Sequence, residues 1–274
     1  MLWAALYRGL TAAATPLVRY GLELRCRRGK EDRAHLGERL GVASLPRPAG
    51  PLFWLHAASV GEASSVLALV ERIVATRPPV AVLMTTGTVA AARLLADRLP
   101  PRTCHQFVPI DLPQAVGRFL DHWRPDLALW VESELWPNLV LATHARGVPM
   151  LLVNARLSAR SAARWAMLPG LAGPLLRAFA LCLAQDEAQA ERFRRLGATT
   201  VASVGDLKAA APPLAADEAA LAMLRAQVAG RKLWLAASTH AGEEEIAAAA
   251  HAIIAAAHPG LLTIIAPRHP ARGP

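Results

Sequence analysis

Short, uninterrupted apolar runs alternate with helix-periodic stretches over most of the chain, and this alternation restricts it to few folds. The runs are 51–57, Val80–Thr86, Cys104–Ile110, Leu127–Glu132, Pro149–Asn154, Leu181–Gln185 and Thr200–Val204. Helix-like segments lie between them near 62–76, 88–99, 113–123, 137–146, 158–178 and 187–196. Continuous apolar strands belong in sheets covered on both faces. Their alternation with helices predicts a parallel, doubly wound α/β sheet with right-handed crossovers. A Pro/Ala-rich connector, Ala209 to Asp217, precedes helix-like 218–229 and a second βαβ pattern. That pattern is Leu233–Ala237, a helix from Thr239 to Ala257 capped by Ser238 or Thr239, and Leu261–Ala266. Glu243–Glu245 stand in the first turn, where the helix dipole favours negative charge.

Three parts are therefore expected: an N-terminal segment 1–42, a first Rossmann-like domain 50–210, and a segment 230–274. Two parallel strands and one helix make only the opening of an α/β domain. The reading is a complete first domain followed by a C-terminally truncated second one.

The first 24 residues are mostly apolar but broken by Arg8 and Arg19. The uncharged run between them is too short for a bilayer, which needs roughly 20 residues, and Arg8 argues against a secretory signal. Trp3, Tyr7 and Tyr20 are amphipathic rings that favour a membrane–water interface. The cluster Arg25, Arg27, Arg28, Lys30, Arg33 would attract anionic lipid. An interfacial helix on an anionic membrane surface is expected, against the plainer alternative of a helix packed on the domain. The formal net charge is +9. Beyond this segment the arginines are scattered without an aromatic-interleaved stripe, so nucleic acid is not expected. Three distant cysteines, Cys26, Cys104 and Cys182, carry no metal spacing and read as structural thiols of a reducing compartment. No metal site is expected.

Candidate chemistry clusters after the strands, where α/β proteins bind ligands. His56-Ala-Ala-Ser-Val-Gly-Glu62 is a strand, a tight turn and a helix start. Ser59 to Glu62 fits a capping box, and a helix N-terminus lowers carboxylate basicity. If Glu62 is instead a general base, desolvation or a neighbouring carboxylate must activate it. His56 could serve as its hydrogen-bond partner. Glu132-Ser-Glu-Leu-Trp-Pro-Asn138 brings two more carboxylates to the same edge; Glu132 beside Glu62 would raise one pKa. Asn154-Ala-Arg-Leu-Ser-Ala-Arg-Ser161 offers Asn154 and Arg156 to hydroxyls or a phosphate, with Ser158 a possible N-cap. Lys208 in Gly205-Asp-Leu-Lys208 and Arg268 in Pro267-Arg-His-Pro270 are cations placed for an anion, although such loop residues are more often solvated. Thr85-Thr86-Gly87-Thr88 lacks both the P-loop lysine and the dinucleotide pattern. No nucleophile-elbow motif is present.

These six stretches, with Ser238-Thr-His-Ala-Gly-Glu243 in place of the Thr85 turn, resemble in order and register the bacterial 3-deoxy-D-manno-octulosonic acid (Kdo) transferases. The resemblance implies a two-Rossmann-domain (GT-B) glycosyltransferase of lipopolysaccharide biosynthesis. Such an enzyme moves Kdo from CMP-Kdo to a lipid A precursor at the cytoplasmic face of the inner membrane, with inversion and without metal. CMP-Kdo would be a co-substrate, and no cofactor is implied. By the same resemblance Glu62 is the general base, Glu132 and Lys208 stabilise the transition state, and Pro267 and Arg268 begin the CMP site. Ser59, Gly61, Asn154 and Arg156 are possible substrate contacts. Ser133 stands where the family usually has threonine. The turn Thr86-Gly87-Thr88-Val89 departs from the family's Thr-Pro-Thr-Gly. Family members continue past Pro274 into a glycine-rich donor site, so the chain alone is expected to be inactive. The alternatives are another GT-B glycosyltransferase with a membrane acceptor, and an inactive lipid-binding module.

Overall fold

A computed structural model describes residues 2–210, 216–269 and 272. The chain divides into two compact units, Met1–Pro212 and Pro213–Pro274. The first runs α1 (Leu2–Ala13), α2 (Thr15–Arg27), α3 (Leu36–Arg39), β1 (Leu52–His56), α4 (Val60–Thr76), β2 (Ala81–Thr86), α5 (Val89–Ala96), β3 (Thr103–Phe107) and α6 (Pro113–Trp123). It continues through β4 (Leu127–Val131), α7 (Pro137–Ala145), β5 (Met150–Ala155), α8 (Ala159–Ala166), α9 (Pro169–Arg177), β6 (Leu181–Ala184), α10 (Glu187–Arg195), β7 (Val201–Ser203) and a 3-10 turn, Leu207–Ala210.

The seven strands form one sheet in the order β3-β2-β1-β4-β5-β6-β7, with every pairing parallel. The chain enters at β1, winds out to β3, then returns to lay β4 on the other side of β1. The crevice past β1 and β4 is thus the topological switch point, where open α/β sheets bind ligands.

Side-chain alternation along each strand feeds two cores. Trp54, Trp130 and Leu152 face Phe119, Leu120 and Trp123 of α6, with Leu139 of α7 and Leu175 of α9. Leu55, Met84, Leu129 and Val131 face Val66, Val70 and Val74 of α4. Trp54 and Trp130 meet edge-on at 4.6 Å between ring centres. The Trp54 indole donates to Thr85 Oγ1 at 2.8 Å, which satisfies its buried N–H.

Several boundaries differ from the sequence expectation for local reasons. The long helix expected over 158–178 is two, α8 and α9. Leu168 leaves the helical region (φ −124°, ψ 56°) because it precedes Pro169. Residues 1–24 form not one helix but α1 and most of α2. Tyr7 does not face outward: its hydroxyl donates to Asp111 Oδ2 at 3.0 Å. Leu2, Trp3, Leu6 and Leu10 of α1 are exposed. The Pro-rich stretch 43–50 is anchored: Arg47 donates to the carbonyls of Trp123 (2.7 Å) and Arg124 (3.3 Å). Just before it, Gly41 (φ +81°) lies so near α6 that a Cβ would stand 2.0 Å from the Ala115 carbonyl oxygen. Only glycine allows that approach.

The second unit holds α11 (Glu218–Val228), β8 (Leu233–Thr239), α12 (Glu243–Ala257) and β9 (Leu262–Pro267). β8 and β9 pair in parallel through the α12 crossover. The expected cap of the crossover helix is corrected. Neither Ser238 nor Thr239 caps it; the helix starts after Gly242, which takes the left-handed conformation (φ 91°).

Candidate active site

Glu62 follows β1 and Glu132 follows β4, so the two carboxylates flank the switch point. Ser59 caps α4: its Oγ accepts from the Glu62 N–H at 3.3 Å and donates to Glu62 Oε1 at 2.7 Å. Glu62 Oε2 accepts from the Ala58 N–H at 2.9 Å. The glutamate therefore closes the box on the residue before the cap, not on the Ser59 backbone. Glu62 is 8% exposed. Burial pushes its carboxyl above the usual carboxylate value. The Ser59 and Ala58 hydrogen bonds oppose this, the Glu132 charge adds to it, and the Lys208 charge opposes it. Both routes that could activate a base at a helix N-terminus are thus present, with desolvation the larger. Gly61 is exposed, and a Cβ built on it would meet nothing within 4 Å.

His56 does not partner Glu62. It is fully buried, and Nδ1 lies 3.0 Å from Thr85 Oγ1. Burial lowers its pKa to about 4, so the ring is neutral at physiological pH. The Thr86-Gly87-Thr88 turn supports the Glu62 loop instead of offering an anion cradle: the Gly87 N–H donates to the Ala58 carbonyl at 2.9 Å. Thr88 caps α5 by accepting from Ala91 at 3.2 Å.

Glu132 takes the left-handed conformation (φ 57°), unusual for a non-glycine residue and worth about 1–3 kcal/mol of strain. Its N–H donates to the Val153 carbonyl at 3.1 Å. Lys208 Nζ stands 3.6 Å from Glu132 Oε1. Burial raises the Glu134 carboxyl, Trp136 Nε1 (2.8 Å) opposes that, and the charges of Glu62 and Glu132 add to it. Glu62, Glu132, Glu134 and Lys208 accordingly form one electrostatic group. Residues as far apart in sequence as Glu62 and Lys208 converge because the strands are parallel and each loop leaves at the same edge.

Asn154 is 1% exposed and also left-handed (φ 52°). Its Oδ1 accepts from the Leu207 N–H at 3.0 Å. Arg156 is exposed. Ser158 caps α8 through the Ser161 N–H at 3.1 Å.

One residue of this edge escaped the sequence reading. Asp111, after β3, accepts from the Leu139 N–H (2.8 Å), the Asn138 N–H (3.1 Å) and Tyr7. Asn138 Nδ2 donates to the Asp111 carbonyl (2.6 Å) and also reaches Thr11 Oγ1 (2.9 Å). Asp111 thus caps α7 from a distant loop and ties α1 to the end of the Glu132–Asn138 motif. The local signal, an aspartate just before Pro113, points at α6 and not at α7.

Within the second unit, Pro267 ends β9 and Arg268 follows it. The Arg268 N–H donates to the Thr239 carbonyl at 2.9 Å, and Arg268 is exposed. Glu243 accepts from the His240 N–H at 2.7 Å, and Thr239 donates to Glu244 at 2.8 Å. Among the described residues no group of three or more His, Cys, Asp or Glu is arranged to hold a metal ion.

A parallel, doubly wound sheet with charged side chains gathered at its switch point makes the first unit a Rossmann-like domain of the kind from which the GT-B fold is built. Solved structures agree on the fold. The UDP-GlcNAc 2-epimerase of Neisseria meningitidis superposes with a TM-score of 0.55 at 12% identity, over 78% of this chain and 64% of that one. S. aureus MnaA with UDP gives 0.53 at 14%, over 81% and 63%. The particular family follows from sequence. The profile of the 3-deoxy-D-manno-octulosonic-acid transferases (kdotransferase) matches residues 34–211, and the chain belongs to that family. The 3-deoxy-D-manno-octulosonic acid transferases of Haemophilus influenzae and Rickettsia bellii are each 33% identical, over 99% and 97% of this chain. The Arabidopsis thaliana protein named "Probable 3-deoxy-D-manno-octulosonic acid transferase, mitochondrial" is 36% identical over 98%. The chain spans 62–64% of the length of these curated relatives.

Proposed function

We propose that the chain is the acceptor-side part of a Kdo transferase, which moves Kdo from CMP-Kdo to a lipid A precursor. The observation that carries this reading is the convergence of Glu62, Glu132 and Lys208, drawn from three separate family motifs, at the switch point of one sheet. An acceptor hydroxyl attacks the anomeric carbon of Kdo from the face opposite the phosphate. The new C–O bond forms, the bond to the CMP phosphate breaks, and the electron pair leaves with CMP. Glu62 takes the hydroxyl proton, for which a raised pKa suits it. Lys208, paired with Glu132, supplies positive charge where negative charge develops. Pro267 and Arg268 are proposed to contact the CMP moiety, and Ser59, Gly61 and Arg156 the sugars. No metal or cofactor enters this scheme.

The acceptor is a lipid, and the N-terminus supports a peripheral attachment to the anionic surface of the inner membrane. No helix among the described residues is long and apolar enough to cross a membrane. The exposed Leu2, Leu6 and Leu10 lie on α1, and the basic cluster runs from the last turn of α2 (Arg25, Arg27) into the loop after it. A donor panel tests the reading. Protein extended to the length of its relatives should transfer from CMP-Kdo and not from UDP-sugars. Transfer from a UDP-sugar alone would favour a different GT-B enzyme. Acceptor binding without turnover from any donor would favour a lipid-binding module.

A further inference from the structure

We propose that Asn154 is a positioning residue whose side-chain carbonyl fixes the turn that presents Lys208 to Glu132. Lys208 sits on a four-residue 3-10 turn that follows the exposed residues Val204–Asp206. A lysine on such a turn has many ways to point and little reason to stay beside one carboxylate. Two hydrogen bonds limit it, beside the packing of the Leu207 side chain on the core under α4. Asp206 Oδ1 accepts from the Lys208 N–H at 2.9 Å, but Asp206 belongs to the same exposed loop. The hydrogen bond that reaches the rigid sheet is Leu207 N–H to Asn154 Oδ1, 3.0 Å across 53 positions of sequence.

The sheet makes that contact specific. β4 and β5 pair with Val131 opposite Val153, so the next residues, Glu132 and Asn154, are neighbours on adjacent strand ends. Both adopt the left-handed conformation, φ 57° and φ 52°. Asparagine is among the few non-glycine residues that tolerate it. One strand end thereby carries the carboxylate, and the next holds the turn carrying its lysine. The donor is a backbone N–H, so the amide must face it with oxygen. That leaves Nδ2 buried and without a partner among the described residues. Asn154 supplies the accepting oxygen and tolerates the left-handed backbone that aims it at Leu207.

The role in transfer rests on the reading given above, whereas the tether itself does not. Lys30, Lys208 and Lys232 are the chain's only lysines. Reductive 13C-methylation therefore gives three side-chain resonances, with Lys208 assigned by Lys208→Arg and its ion-paired position defined against Glu132→Gln. Asn154→Gly keeps the backbone conformation and removes the acceptor. Leu207→Pro removes the donor at a first helical position, where proline is tolerated, and leaves Asn154 untouched, with Leu207→Ala, which keeps the N–H and should leave the Lys208 resonance in place, as the control for the lost Leu207 packing; the proline variant carries the test if the glycine variant fails to fold. Both variants should move the Lys208 resonance toward its position in Glu132→Gln, with Lys30 and Lys232 unmoved. In extended protein, kcat should fall about 10- to 100-fold with acceptor KM within about twofold. A Lys208 resonance unchanged in folded Asn154→Gly and Leu207→Pro, moved equally by Leu207→Ala, or unmoved by Glu132→Gln, overturns the proposal. A shifted resonance with unchanged kcat leaves the tether standing and removes Lys208 from the proposed reaction.

Discussion

Glu62 uses one carboxylate for two purposes. It holds the first turn of α4 through Ser59 and Ala58, and it is the proposed base. The Ser-x-x-Glu spacing made the cap legible in sequence. Its acceptance from Ala58 was not, because that depends on how the chain leaves β1. Nor could sequence show that Glu132 and Lys208 act on the same group, since strand order decides it. A titration follows. The Glu62 carboxyl should protonate above its usual value of 4.5, and Glu132→Gln should lower its midpoint by removing a like charge. Carboxyl-13C NMR reads both midpoints, and an unmoved Glu62 signal in Glu132→Gln would separate the two groups. Catalysis through Glu62 as base should correspondingly rise with pH through that midpoint.

At the scale of elements, α1 and α7 are joined by the Asp111 cluster. Asp111→Ala leaves the Asn138 and Leu139 N–H groups without their acceptor and frees the Tyr7 hydroxyl. Losing two capping bonds and one side-chain bond should cost about 2–4 kcal/mol in urea unfolding. Asp111→Asn, which keeps one acceptor oxygen, should cost less; equal stability of the alanine variant and the parent would make the cluster incidental. The outward residues of α1 are expected to bind lipid. Leu2, Leu6 and Leu10 changed to Gln should weaken attachment to anionic vesicles while Tyr7 stays in place, and salt should weaken what remains. Unchanged vesicle sedimentation would return α1 to the plain role of a packed helix. The apolar run of residues 1–24 pointed to one interfacial helix, not to α1 and α2, and did not show which face packs inward. Tyr7 looked like a lipid-facing ring and is instead an inward contact, because the acceptor it meets lies 104 positions away.

For the whole molecule, the parallel doubly wound sheet was legible because its strands are apolar on both faces. The strand order was not: the return of β4 to β1 leaves no local pattern. The ends of α9 and α12 were misread where Leu168-Pro169 and Gly242 override periodicity. Burial also gives the fold a pH dependence. His56 and His105 are both lowered from 6.5 to about 4. The unfolded chain therefore binds more protons between those values, and stability from these rings, complete above pH 6.5, is lost as pH falls toward 4. Glu62, Glu134 and Asp111, all raised, act in the opposite sense. The stability difference between parent and His105→Gln isolates one ring. It should shift against the parent by about 2–3 kcal/mol from pH 6.5 to 4, and a pH-independent difference would contradict the buried neutral ring.

The central claim is that Glu62 is the base of Kdo transfer, and it is tested most directly by turnover of Glu62→Gln in protein of the relatives' length. CMP-Kdo and a lipid A precursor serve as substrates, and acceptor binding is measured in parallel. Acceptor binding should stay within about twofold of the parent and kcat should fall by at least about 100-fold. Turnover close to that of the parent would contradict it.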